Sequence, residues 1–80
     1  MIEGKQILAA RAMLGWRRED LVQFSGVSMS ALMRMEKGTT DSRRSTLNKI
    51  GETLIDAGIE FVAREDGAIG VILKKENKSL

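Results

Sequence analysis

The 80-residue sequence contains no cysteine, no histidine, no proline and no tyrosine, and its only aromatic residues are Trp16, Phe24 and Phe61. Each scarcity excludes something. Without cysteine there are no disulfide staples, thiolate zinc sites or sulfur nucleophiles, and a reducing compartment is compatible with the chain. Without histidine there is also no imidazole base for a serine nucleophile and no imidazole metal ligand. With so few aromatics, aliphatic and methionine side chains must fill the interior. No window holds the roughly 18 uninterrupted apolar residues of a membrane span. The start, Met1-Ile2-Glu3-Gly4, lacks the basic-then-apolar pattern of a secretory signal, so the expected location is cytoplasmic.

What remains is ordinary globular material, 42% hydrophobic and 30% charged, in a length that suits one domain with a modest core. The net charge of +2 is small, but it is unevenly spread. Between Arg17 and Lys49 stand seven basic residues (Arg17, Arg18, Arg34, Lys37, Arg43, Arg44, Lys49) against four acidic ones, whereas the last 22 residues carry four of each. That excess fits either a surface facing a polyanion or a solvated face with scattered ion pairs.

The periodicity predicts a mainly α protein: four short helices, then a β-hairpin. A first helix is expected over about 4–14, with Ile7, Leu8 and Arg11/Ala12 at helical spacing and Gly15 as its stop. A second runs from Arg17 or Arg18 to Ser25, with Leu21, Val22 and Phe24 facing inward, and ends at Gly26. A third spans Ser28–Lys37, with Ser28 as N-cap, Leu32 and Met35 on one face and Gly38 after it. Residues 39–44 read as a loop. A fourth begins near Ser45, directs Leu47, Ile50, Leu54 and Ile55 inward, and closes at Gly58.

From Ile59 the period changes to two. Ile59, Phe61 and Ala63 alternate along one strand and Ile69, Val71 and Leu73 along another, with Asp66-Gly67 between them. A two-residue loop would put these apolar sets on opposite faces. A three-residue loop, Glu65-Asp66-Gly67, pairs Ala63 with Ile69 and Phe61 with Val71 and gathers all six on one face, so that register is expected. Val62 and Ile72 then remain on the other face. A two-stranded hairpin is marginal alone, so it must pack on the helices or on another chain. Residues 75–80 form a polar tail. The whole is one domain, with a helical part over about 4–58 and the hairpin over 59–74.

The segment Leu14–Gly38 reads as two amphipathic helices joined by Ser25-Gly26-Val27, where Gly26 permits a positive φ and Val27 is available to pin the helices together. Leu21, Val27, Leu32 and Met35 can share one core, which leaves Ser28, Met29, Ser30, Met33 and Arg34 on the outside of the third helix. This is a helix-turn-helix arrangement. Here the chain resembles the phage repressor and Cro-type (XRE-type) helix-turn-helix family across most of residues 5–57. The positions that carry the resemblance are Leu21, Gly26, Val27, Ser28, Leu32, Met35 and the ending Glu36-Lys37-Gly38. The later runs from Thr46-Leu47 to Phe61, and Gly70-Val71-Ile72-Leu73-Lys74, look like a compact prophage-type subset of that family. Two positions depart from its pattern: Arg18 stands where glutamine usually contacts a phosphate and braces the recognition helix, and Val22 stands where alanine is favoured.

The resemblance implies a bacterial or phage-encoded, cytoplasmic, nucleoid-associated regulator of transcription of the repressor kind that binds double-stranded DNA. The Ser28–Lys37 helix would enter the major groove. Met29, Ser30 and Arg34 would then lie near base edges, where serine can donate or accept, methionine can meet a thymine methyl, and arginine can grip guanine O6 and N7. Arg17, Arg18, Ser28, Lys37, Thr39, Arg43 and Arg44 would contact phosphates. It also implies that Arg11, late in the first helix, pairs with Glu36 as a buried ion pair, which makes Glu36 structural. Blander readings stand beside these: Arg34 can pair with a carboxylate in solvent, Met29 and Met33 can pack on a partner chain, Arg43 and Arg44 can belong to a solvated loop, and Trp16 reads as a core plug. A homodimer is expected, gripping two half-sites, with the hairpin Ile59–Lys74 as candidate interface. The rival readings are an enzyme and a protein-interaction module that uses the same fold to bind a toxin or a polymerase subunit. The carboxylates are scattered and no phosphate-binding glycine motif is present, so no enzyme, no cofactor, no metal and no small-molecule substrate are expected.

Overall fold

The computed structural model describes residues 2–38 and 43–74. Among them are four helices, α1 (Gly4–Leu14), α2 (Arg18–Ser25), α3 (Met29–Lys37) and α4 (Arg44–Asp56), followed by strands β1 (Ile59–Ala63) and β2 (Ile69–Leu73). None of these helices is long and apolar enough to cross a membrane. The polar tail 75–80 and most of the loop before α4 lie outside the described residues.

Local chemistry sets the helix ends. The Asp20 carboxylate accepts from the Arg17 N–H at 2.8 Å and closes the start of α2. Ser28 caps α3 by accepting from the Ala31 N–H at 3.2 Å. Between the two helices Gly26 sits at φ +78°, where a side chain would be strained. The fourth helix starts at Arg44, one residue before the expected Ser45, with Arg43 in the extended N-cap position.

One core joins the four helices and β1: Ile7 and Ala10 of α1, Leu21 of α2, Val27 of the turn, Leu32 and Met35 of α3, Ile50 and Leu54 of α4, and Ile59 of β1, with Val71 and Leu73 of β2 packed against it. The expected convergence of Leu21, Val27, Leu32 and Met35 is therefore present. Two apolar residues expected to face inward do not: Phe24 and Ile55 are 57% and 51% exposed, and Leu8 of α1 is 40% exposed as well. Each lies next to a fully buried neighbour of its own helix or at the far side of the buried stripe. An eight- to thirteen-residue helix packed on one side covers a narrower arc than its apolar composition suggests. Trp16 is half-buried against the core, with its ring 4.9 Å from that of Phe24.

The hairpin has the expected register, Ala63 opposite Ile69 and Phe61 opposite Val71. Arg64 N–H donates to Ala68 O at 2.8 Å and Gly67, at φ +93°, donates to Arg64 O at 3.0 Å, so Glu65-Asp66-Gly67 form the loop. Ile59 is buried while Phe61, Val71 and Leu73 are half-buried against the core; Ile69 and Ala63, near the turn, are exposed.

Two polar or small residues of α1 seat the neighbouring elements, and the apolar pattern does not mark either. The buried Gln6 amide donates to Val62 O at 3.1 Å and to Gly70 O at 2.9 Å, which fastens the hairpin to α1. Gly4 lies against the C-terminal end of α3. A Cβ there would meet the carbonyl oxygens of Met35 and Glu36, the latter at 2.6 Å.

Candidate nucleic-acid interface

The outward surface of α3 follows from what its inward surface holds. Leu32, Met35 and Glu36 are buried, so the helix is anchored along one side. On the other side Ser30, Arg34 and Lys37, spaced four and then three residues apart, are exposed, and so is the cap Ser28. Met29 and Met33 are half-buried at the edges of this strip. The expected base-contact residues Met29, Ser30 and Arg34 therefore share one helix, with Met29 closest to the neighbouring elements. A single cleft between the end of α1, the start of α2 and the start of α3 is lined by Arg11, Trp16, Arg17, Arg18, Glu19 and Met29. It brings Met29 together with two of the expected phosphate contacts.

Glu36 holds this surface in place. Its carboxylate side chain is only 2% exposed and takes two charged donors: Arg11 Nε to Oε2 at 2.7 Å and Arg18 Nε to Oε1 at 2.8 Å. Arg11 also donates to Trp16 O at 3.1 Å. The three side chains thus tie the last turn of α1, the α1–α2 connection, the first residue of α2 and the last turn of α3 together. A buried carboxylate demands such partners because an unpaired charge inside a protein is strongly unfavourable. The expected Arg11–Glu36 pair is present. The second arm from Arg18 was not anticipated. Two features of the sequence point toward it: position 18 is where the resembled family's glutamine braces the recognition helix, and a carboxylate has two oxygens, of which Arg11 alone satisfies one.

Arg18 is 40% exposed while bonded to Glu36, so it is both a brace for α3 and a cation reachable from the cleft. Arg17 is 78% exposed, with Asp20 at 3.9 Å as its nearest carboxylate. Arg43 and Arg44 are exposed at the start of α4. Thr39 lies outside the described residues. Chemically the face offers hydroxyls, guanidinium groups, a lysine and thioether edges. This set suits an anionic, hydrogen-bonding ligand with flat apolar parts. Among the described residues no three acidic side chains gather as a metal site.

No family model matches the chain, and no curated protein matches it.

Proposed function

We propose that this protein is a sequence-specific double-stranded DNA-binding regulator of transcription, of the phage repressor and Cro kind, with α3 in the major groove. The observation that carries this reading is the two-sidedness of α3: one side locked by Leu32, Met35 and the Arg11–Glu36–Arg18 cluster, the other presenting Ser28, Ser30, Arg34 and Lys37. A helix held rigidly by its inner side and polar on its outer side is what base readout requires, since contacts at base edges discriminate only when their donors are fixed. Arg34 reads guanine, Met29 and Ser30 meet neighbouring base edges, and Arg17, Arg18, Arg43, Arg44 and Lys37 hold phosphates on either side. The resemblance over residues 5–57 supports the same reading.

Salt dependence of binding to duplex DNA, followed by fluorescence anisotropy, tests it. Each phosphate contact adds about 0.9 to the slope of log K against log salt. The double variant Arg43→Ala/Arg44→Ala is expected to lower that slope by about 2 while leaving base preference unchanged. Absence of binding at low ionic strength would end the DNA reading.

A second reading, recognition of a polypeptide by the same fold, is favoured by one observation. Phe24 stands 57% exposed against Trp16, beside a groove lined by Thr53, Asp56 and Ala57. Under that reading Phe24→Ala abolishes capture of the partner, whereas under the DNA reading it leaves the salt slope untouched.

A further inference from the structure

The surface changes sign across Trp16. On one side lies the cleft that holds Arg11, Arg17 and Arg18 against one carboxylate, Glu19. On the other lies a groove lined by Trp16, Phe24, Thr53, Asp56 and Ala57, and no basic side chain of the described residues lines it. Phe24 is 57% exposed, with its ring 4.9 Å from that of Trp16 and tilted by 54° to it. Asp56, the last residue of α4, is exposed and makes no ion pair among the described residues. The last turns of α2 and α4, which supply Phe24 and Asp56, hold no basic residue. The negative ends of two helix dipoles therefore reach the groove without a cation from their own last turns. The Thr53 hydroxyl donates to Lys49 O at 2.8 Å, so toward the groove its oxygen has only acceptor capacity left. Aromatic face, carboxylate, helix ends and hydroxyl all favour a ligand that is cationic and donates hydrogen bonds.

We propose that this groove seats the side chain of an arginine from a partner polypeptide, with its guanidinium over the Phe24 ring and against the Asp56 carboxylate. A cation is attracted to the face of an aromatic ring. A planar guanidinium can stack on that ring and still direct its N–H groups to a carboxylate, which a compact ammonium does less well. The walls formed by Trp16 and Ala57 suit the methylene stem of the same side chain. The groove measures about 330 Å³, at the small end of ligand sites of roughly 300–1,000 Å³, which is room for one long side chain rather than a large molecule. A nucleic-acid phosphate is the wrong ligand, because Asp56 and the helix ends repel it. The groove shares only Trp16 with the arginine-lined cleft, so a partner here and a duplex on α3 can be held together. The inference rests on the polypeptide reading given above, which it deepens by naming the chemistry recognised, and it does not require DNA.

Titration of the whole protein, followed by amide chemical shifts, tests it with three blocked tripeptides: alanine–arginine–alanine, and the same peptide with citrulline or leucine at its centre. Trp16, the only tryptophan, gives a second readout by its fluorescence. The arginine peptide is expected to produce saturable shifts at Phe24, Thr53, Asp56 and Ala57, with a Kd in the millimolar range, because exposed ring and ion-pair contacts are each weak. Citrulline keeps the shape of arginine without its charge and is expected to bind at least about fivefold more weakly. Phe24→Leu removes the ring and Asp56→Asn the charge, and each is expected to weaken arginine binding about two- to fivefold. Circular dichroism checks that both variants fold; should Phe24→Leu unfold, Asp56→Asn, at an exposed helix end, carries the comparison. A leucine peptide that binds as tightly as the arginine peptide would overturn cation recognition while leaving the polypeptide reading in place. Arginine binding that both variants leave unchanged, or that shifts only residues outside the groove, would overturn the proposal as well. Failure of all three peptides to bind would overturn it and remove the support that Phe24 lends to the polypeptide reading.

Discussion

Two guanidinium groups on one carboxylate make Glu36 the residue through which three helices are connected. Removing it strands Arg11, whose side chain is 15% exposed, and releases Arg18, which at 40% can turn to water. Breaking one side of a buried pair costs about 3–5 kcal/mol, a large share of the roughly 4–12 kcal/mol total of an 80-residue domain. Glu36→Ala is therefore expected to lower the melting temperature by at least about 12 °C, and an unchanged temperature would contradict the pairing. Arg11→Ala is expected to fall close to it. Arg18→Ala is expected to cost only about 1 kcal/mol, because solvent already screens that arm. Thermal denaturation of the three variants, ranked in that order, checks the scheme. The Arg11 arm was legible by resemblance; at position 18 the resemblance marked a brace but the glutamine-to-arginine change hid its partner, since a charged residue at a helix start looks solvent-facing until the fold brings α3 beneath it.

At the scale of elements, helix spans and hairpin register follow from features strong in the sequence. Glycines close the first three helices, serine caps α3, and the period changes from 3.6 to 2 at Ile59. The three-residue loop was legible because only an odd loop gathers six apolar residues on one face. What was not legible is how the elements meet. Phe24 and Ile55 lie one residue-step beyond what the packed side covers, which periodicity within a single helix cannot reveal. Gln6 and Gly4 carry no apolar signal, yet they seat the hairpin and α3 on α1. Gln6→Leu removes both amide donors and is expected to speed amide hydrogen exchange in β1 and β2, while α2 and α3 remain protected. Gly4→Ala drives a methyl into backbone carbonyls that cannot move aside, and is expected to cost about 1–3 kcal/mol. Gly26→Ala, where the added methyl meets open space and only backbone strain counts, is expected to cost about 1 kcal/mol. Denaturant titration separates the two, and a Gly4 variant as stable as the parent would show that α1 and α3 are not closely crossed.

At the scale of the whole molecule, α3 and the hairpin fastened to α1 by Gln6 share one core. A monomer of this size presents one short helix to a duplex. Two copies related by a two-fold axis present two, which converts a single weak contact into recognition of paired half-sites. With the hairpin as the expected interface between copies, Ile72→Asp on its exposed face is expected to weaken binding to a two-half-site duplex far more than binding to a single half-site. Equal losses on both duplexes, measured side by side, would detach the hairpin from recognition.

The claim on which the functional account rests is that the exposed strip of α3 reads base sequence. Selection of bound duplexes from a random DNA pool, carried out in parallel with Arg34→Ala, addresses it most directly. The account predicts a palindromic consensus from the parent protein, and from the variant the same consensus with guanine preference relaxed at one symmetric pair of positions, at a cost of about 1–3 kcal/mol per contact. A pool that yields no consensus, or a consensus left intact by Arg34→Ala together with Met29→Ala and Ser30→Ala, would contradict it.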